Sequence, residues 1–229
     1  VRVAMMLCSS AGNDLMFDES LCEQGRNFGN KIWNAYKLIC GWAEDKTLAQ
    51  SECNRLAIEW FENKLSQTLS QIEEDFASYR ISDALMKAYR LFWDEFSGWL
   101  LEMIKPAYGA PADSTTLASV RSLFGRLMQM LHQFMPFLTE EIWQDLAPRA
   151  AGESICVSRM PVAGEIDETL LARFELAKEV ISHLRNLRKQ KNLPNKEQLS
   201  LKVMADANYP SEYEPVIMKM ANLSSIERI

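Results

Sequence analysis

The sequence is poor in the residues from which most catalytic and metal centres are built. Only two histidines occur in 229 residues, His132 and His183, so a histidine-based metal cluster has little material. The five cysteines, Cys8, Cys22, Cys40, Cys53 and Cys156, contain no C-x-x-C pair and leave an odd one over. Neither a disulfide framework nor a zinc site is therefore expected. There is no glycine-rich phosphate or dinucleotide turn, no G-x-S-x-G and no H-E-x-x-H. No apolar run approaches the ~20 residues of a membrane helix. The first eight residues are too short and poorly flanked for a signal peptide. These absences predict a cytoplasmic protein with no membrane partner.

The titratable groups that are present point the same way. Glu73-Glu74-Asp75 and Glu140-Glu141 fall on helix surfaces or in a first turn, where acids are solvated or complement the helix dipole. His132 ends an apolar helix just before a proline break, a position for satisfying a freed carbonyl. His183 lies between Ser182 and Leu184 without a partner pattern. No catalytic residue, metal ligand or cofactor is assigned to the chain.

What is present is a sizeable core in the making. The chain is 48% hydrophobic and 24% charged, the balance of one or two soluble domains. Its net charge of −6 is carried by residues 1–150, where 14 Lys and Arg face 20 Asp and Glu, while residues 151–229 balance 11 against 11. Such a balance opposes nucleic-acid binding driven by phosphate neutralisation. RNA remains within reach only if cations cluster and aromatic rings stack on splayed bases.

Hydrophobic spacing predicts a mostly α protein. Residues 1–8 read as the tail of an upstream helix, and the chain as a piece of something longer. Ser9 to Asp14 is loop chemistry. Ser20 and Glu23 fit a capping box for a helix running to about Trp42. A second helix, about Ser51 to Tyr79, carries Ile58, Phe61, Leu65, Leu69, Ile72, Phe76 and Tyr79 on one stripe. A third, about Ser82 to Ile104, turns Leu85, Ala88, Leu91, Phe92, Phe96, Trp99, Leu100 and Met103 inward and stops at Pro106. A fourth spans about Ser114 to Phe134, and a short helix restarts near Thr139, whose side chain suits an N-terminus, before Pro148.

Short connections between these helices predict an antiparallel bundle over residues 14–147, preceded by a connecting tail over 1–13. Residues 148–229 read as a small β-α-β-α-β unit. Its expected strands are Ser154–Val157, Leu199–Val203 and Ser225–Ile229, and its helices Asp167 to about Asn192 and about Ser211 to Ala221.

The stretch R-N-F-G-N-K-I-W-N-A, Arg26 to Ala35, carries the most information. Stepping ~100° per residue, Leu21, Phe28, Ile32, Ala35 and Ile39 fall on one side of a helix. Arg26, Asn30, Trp33 and Lys37 fall opposite, with Asn27 and Asn34 at the edge. Two readings stand: a solvated face with Trp33 packed beneath a neighbour, or a face for RNA bases.

This run resembles the R-N-F-x-N-K-[LI]-W-N-A helix that opens the anticodon-binding bundle of valyl-tRNA synthetases. G-N-D-L-M-F-D-E, Gly12 to Glu19, resembles the loop before that helix. H-Q-F-M-P-F-L-T-E-E-I-W, His132 to Trp143, is similar to the family's H-P-F-M-P-F-[IL]-T-E-E-[IL]-W, with Gln133 in place of a proline. Leu184 to Pro194 adds a weaker likeness.

The resemblance implies a tRNA-binding module of the class I synthetase type. Its partner would be valine tRNA, read at the adenine and cytosine of the second and third anticodon positions. It implies base-edge contacts from Asn30 and Asn34, with Asn27 beside them. Phosphate or edge contacts fall to Arg26, Lys31 and Lys37, and stacking to Trp33. Backbone contacts from the cationic group Arg185, Arg188, Lys189 and Lys191 are weighed against simple complementation of a helix C-terminus. H-I-G-H and K-M-S-K-S are absent, so valine activation, with its ATP and Mg, is expected in a domain outside this chain. A monomer that binds neither DNA nor membrane is expected. Isoleucyl- and leucyl-tRNA synthetases share the bundle; a helical protein-interaction module and a rigid spacer are the rivals from other classes.

Overall fold

The structure, a computed structural model, describes residues 1–8, 18–194, 196–204, 206 and 208–229. The loop expected over 9–14, and the stretch from Gly12 to Phe17 that resembles the family's loop, lie outside the described residues. Helix α1 covers Arg2–Cys8, α2 Ser20–Cys40, α3 Glu52–Ala77 and α4 Ile81–Arg90. The last continues through a π-helical segment, Leu91–Leu100, into α5, Leu101–Ile104. Then come α6 (Ser114–Leu131), α7 (Pro136–Leu146), a 3-10 turn at Ile155–Val157, α8 (Glu168–Gln190) and α9 (Glu214–Ala221). The fold is mostly α, a helix bundle with a small sheet-bearing appendage. Among the described residues, no helix is long and apolar enough to cross a membrane.

The bundle forms where the apolar stripes demand it. On α3, Ser51 caps the first turn by accepting from Asn54 N, and Phe61, Leu65, Leu69 and Ile72 are buried along one face. Their neighbours Phe92, Phe96 and Phe124 pack at 5.3–6.1 Å between ring centroids. Burial of each such side chain contributes about 1.5–3 kcal/mol. Tyr79 leaves this stripe: the helix has already ended, Tyr79 takes φ 58 and its ring is exposed.

Sequence expectation and structure differ at four further places, each for a local reason. The capping box at Ser20 does not form; Asp18 accepts from Ser20 N at 2.8 Å and starts α2 instead. The third helix is continuous from Ile81, but its middle ten residues are π-helical, a widening that a 3.6-residue pattern does not encode. Helix α7 begins at Pro136, which fits the first turn because it lacks an N–H to leave unpaired. Thr139 therefore sits inside the helix, buried, its hydroxyl donating to Met135 O at 2.9 Å.

The fourth difference is the expected strand over Ser154–Val157, which is a 3-10 turn. Ser154 Oγ accepts from Cys156 N, Ser158 Oγ donates to Ile155 O, and Glu140 accepts from Ile155 N. These side-chain bonds satisfy backbone groups that a strand would have offered to a sheet. Among the described residues the appendage sheet is accordingly two strands, β3 (Leu199–Val203) and β4 (Leu223–Arg228), paired in parallel across α9. A two-residue pair, β1 (Glu44–Asp45) and β2 (Ala112–Asp113), ties the bundle's loops together.

The appendage shares the core of the bundle. Trp60 of α3 stacks on Phe174 of α8, and Phe174 meets Tyr213 edge-on. Lys178, almost buried, bonds Glu95 at 2.9 Å and Glu175 at 3.0 Å. One apolar cluster runs from Val3 to Leu223.

Candidate nucleic-acid interface

Helix α2 presents the surface that the sequence singles out. Phe28, Ile32, Ala35 and Ile39 are buried on its inner side. Two glycines let neighbours approach on the flank: a Cβ at Gly25 would meet Val3 at 3.4 Å, and one at Gly29 would meet Met135 Cε at 3.4 Å. The motif from His132 to Trp143 thus packs its Met135 and Leu138 onto the motif from Arg26 to Ala35. Two segments that resemble one family are in contact.

The opposite side of α2 is open. Arg26, Asn27, Asn30, Asn34 and Lys37 are exposed. The side chains of Asn27, Asn30 and Asn34 make no hydrogen bond to the described residues, which leaves three amides, each with donor and acceptor, facing solvent. Arg26 approaches Glu23 at 3.8 Å with both side chains well exposed, a pair that contributes little. From Gln24 to Ala43 there is no carboxylate, while Arg26, Lys31 and Lys37 supply three cations. This stripe is locally positive in a chain of net charge −6.

Aromatic rings border the stripe. Trp33 is half-buried, 5.3 Å from Tyr36, and Lys37 Nζ lies 5.7 Å from its centroid. Part of the indole is therefore structural and part is accessible. Lys31 is half-buried as well, with Nζ 5.0 Å from the centroid of Trp93. Trp93 stacks on Tyr89 at 5.4 Å with 13° between planes. The sequence reading missed this second pair of rings. Their signal was present: Tyr89 and Trp93 are four residues apart and outside the inward stripe of Leu85, Ala88, Phe92 and Phe96.

The second cationic group divides. Arg185, Lys189 and Lys191 are exposed, with Arg185 held 5.4 Å from the Trp99 centroid and donating to Met220 O at 3.3 Å. Arg188 is 5% exposed and donates to Pro194 O, Ala221 O and Asn222 O at 2.9–3.1 Å. Its guanidinium closes the C-terminal end of α9, where Asn222 adopts φ 51, and is occupied there. A cleft of about 860 Å³ opens beside it, lined by Arg185, Lys189, Asn192 and Met220. Lys219, in the adjoining cleft, has its pKa pushed down by burial.

An apolar groove lies at the end of α2 away from Lys37. Val1, Val3, Cys22 and Phe134 to Leu138 line about 350 Å³, with Phe137 almost fully exposed. The groove meets the polar stripe at Arg26, which lines both.

The sequence matches the family described as the anticodon-binding domain of tRNA ligase over residues 59–204. It is 48% identical over 229 residues to a valine–tRNA ligase of Parabacteroides distasonis and 50% identical over 229 residues to one of Phocaeicola vulgatus. Over 214 residues, 90% of this chain, it is 34% identical to a valine–tRNA ligase of Halalkalibacterium halodurans. In the first two cases all of this chain is covered but only 26% of the relative, so the chain spans about a quarter of the length of these curated relatives. The family match runs from α3 to β3 and the relatives cover the whole chain, α2 included, so the chain belongs to the anticodon-binding domain family of tRNA ligases.

Proposed function

We propose that this chain is the anticodon-reading part of a valine–tRNA ligase, and that it holds valine tRNA so that a catalytic domain elsewhere in the protein can charge it. The observation that carries the proposal is the outward stripe of α2, where unpartnered amides, three cations and an accessible indole lie within four helical turns. Amides make paired hydrogen bonds to a base edge, Arg and Lys take phosphates, and rings stack on splayed bases for about 1–3 kcal/mol per base. In this reading Asn30 and Asn34, flanked by Asn27, meet the edges of the adenine and cytosine at the second and third anticodon positions. Arg26, Lys31 and Lys37 contact the phosphates around them, and Trp33 frames or stacks on a base.

Residues 14–147 carry the recognition face, residues 1–13 connect to what precedes it, and residues 148–229 form the accessory unit. The exposed cations Arg185, Lys189 and Lys191 contact the tRNA backbone from that unit. Arg188 serves the fold. Valine activation with ATP and Mg takes place in the catalytic domain, and the protein works in the cytoplasm as a monomer. The names of the relatives favour valine over isoleucine or leucine as the cognate amino acid.

Titration of the chain with tRNA transcripts at several salt concentrations tests the proposal. Preference for the valine anticodon over a mutated one, weakened by Asn30→Ala, is the expected result, while Lys37→Ala lowers the affinity for both transcripts. Equal affinity for both transcripts fits a spacer, and no affinity for either fits a protein-interaction module docking through the Phe137 groove.

A further inference from the structure

Where the bundle passes into the appendage, three side chains from separate segments converge, and RNA reading uses none of them. His132, at the end of α6, has Nδ1 2.8 Å from Thr139 Oγ1 of α7. Because the Thr139 hydroxyl gives its proton to Met135 O, its oxygen is left to accept, and Nδ1 carries the imidazole proton. Nε2 is then the basic nitrogen. It points at Cys156 Sγ, 3.2 Å away on the 3-10 turn.

Glu140 stands beside the pair and is itself held in place. One carboxylate oxygen accepts from Gln144 Nε2 at 2.7 Å; the other accepts from Ser154 Oγ at 2.8 Å and Ile155 N at 3.1 Å. A ligand atom of each of His132, Glu140 and Cys156 lies within 4.8 Å of the other two. Bonds of about 2.3 Å to sulfur and 2.0–2.1 Å to nitrogen at a tetrahedral angle separate the two donors by about 3.5 Å. The 3.2 Å between Cys156 Sγ and His132 Nε2 therefore needs to open by only a few tenths of an ångström.

We infer that His132, Glu140 and Cys156 form a binding site for a zinc-class divalent cation, with water as the fourth ligand. The donor chemistry selects the ion: thiolate with imidazole favours zinc over magnesium or calcium, which take oxygen. Thr139 is a positioning residue. It fixes the tautomer and ring angle of His132 as second-layer partners do in known metal sites, where their loss lowers affinity about 10–100-fold. On binding, the Cys156 thiol gives up its proton to solvent and a sulfur–metal bond replaces the S–H···N contact. The ion clamps the end of α6, α7 and the 155–157 turn to one another. The spacing of these ligands, spread over 24 residues with no C-x-x-C, concealed the site from the sequence reading.

Cobalt(II) titration of the metal-free chain tests this. A one-to-one complex with a sulfur-to-cobalt charge-transfer band and tetrahedral d–d absorption, displaced by zinc, is expected. Cys156→Ser must abolish the charge-transfer band while keeping the circular dichroism and melting temperature of the metal-free parent, since Cys156 is exposed. Thr139→Val should weaken cobalt binding about 10–100-fold and Thr139→Ser should restore it. Absence of the band at millimolar cobalt, or a band that survives in Cys156→Ser, overturns the inference.

Discussion

The Lys31 ammonium lies 5.0 Å from the centroid of the Trp93 ring, so a cation of α2 is tethered to a ring from the π-helical segment beside it. Such a contact lowers the entropy that a free lysine would lose on meeting a phosphate. Lys31→Ala is expected to weaken binding of cognate and mutated transcripts alike and to reduce the slope of log affinity against log salt by about 1. Filter binding at four salt concentrations measures both.

Asn30 and Asn34 play a different part. Neither side chain is held by the described residues, so replacing both with alanine should leave the melting temperature within the error of the parent. Discrimination between anticodons, in contrast, should fall by about 1–3 kcal/mol for each base edge left unread. Calorimetric melting and transcript competition read the two effects separately.

Trp60 and Phe174 stack at 4.4 Å with 9° between planes, joining α3 to α8 through fully buried rings. Phe174→Ala should destabilise the chain by about 3–5 kcal/mol. Because one apolar cluster spans bundle and appendage, urea unfolding followed by tryptophan fluorescence and by circular dichroism should show one coincident transition.

Arg188 differs from the exposed cations Lys189 and Lys191 in being buried and bonded within the fold. Arg188→Ala removes a charged donor shared by the carbonyls of Pro194, Ala221 and Asn222, and hydrogen bonds to charged groups are worth about 1.5–3 kcal/mol each. A drop in melting temperature of several degrees is expected. Lys189→Ala and Lys191→Ala, at exposed positions, should leave the melt unchanged and lower tRNA affinity at low salt.

Acid should loosen the appendage through Glu212. The hydrogen bond from Arg173 holds the Glu212 carboxyl below its usual range, at 2.6 Å between Nε and Oε1. A depressed pKa means stability that is present above the unfolded-state value and is lost as pH falls through the folded-state value. Glu212→Gln should therefore flatten the decline of the melting temperature below about pH 4.5, the ordinary glutamate range.

Long amphipathic helices were legible because their period is written in many residues at once. The stripe Phe61, Leu65, Leu69, Ile72 set α3 within a residue or two, and Asp167 to Asn192 marked α8 almost as well. The open face of α2 was legible for the same reason, since its amides and cations repeat at helical spacing. Features decided by contacts between distant residues were not. Glu140 converts the expected strand at Ser154 into a turn from 14 or more positions away. The π-helical widening that sets Trp93 beside Lys31 has no periodic signature, and Arg188 could be told from Lys189 only by knowing where α9 ends. The His132, Glu140 and Cys156 cluster exists only once α6, α7 and the turn are folded together.

Direct reading of anticodon bases by the stripe of α2 is the step on which the proposed function depends. A double-mutant cycle tests this: Asn30→Ala with Asn34→Ala in the chain, crossed with replacement of the middle anticodon adenine in a valine tRNA transcript, with dissociation constants measured for all four combinations. Direct reading gives a coupling energy of at least about 1 kcal/mol, because the amides matter only when their base is present. Additive losses, with coupling below about 0.5 kcal/mol, would contradict it.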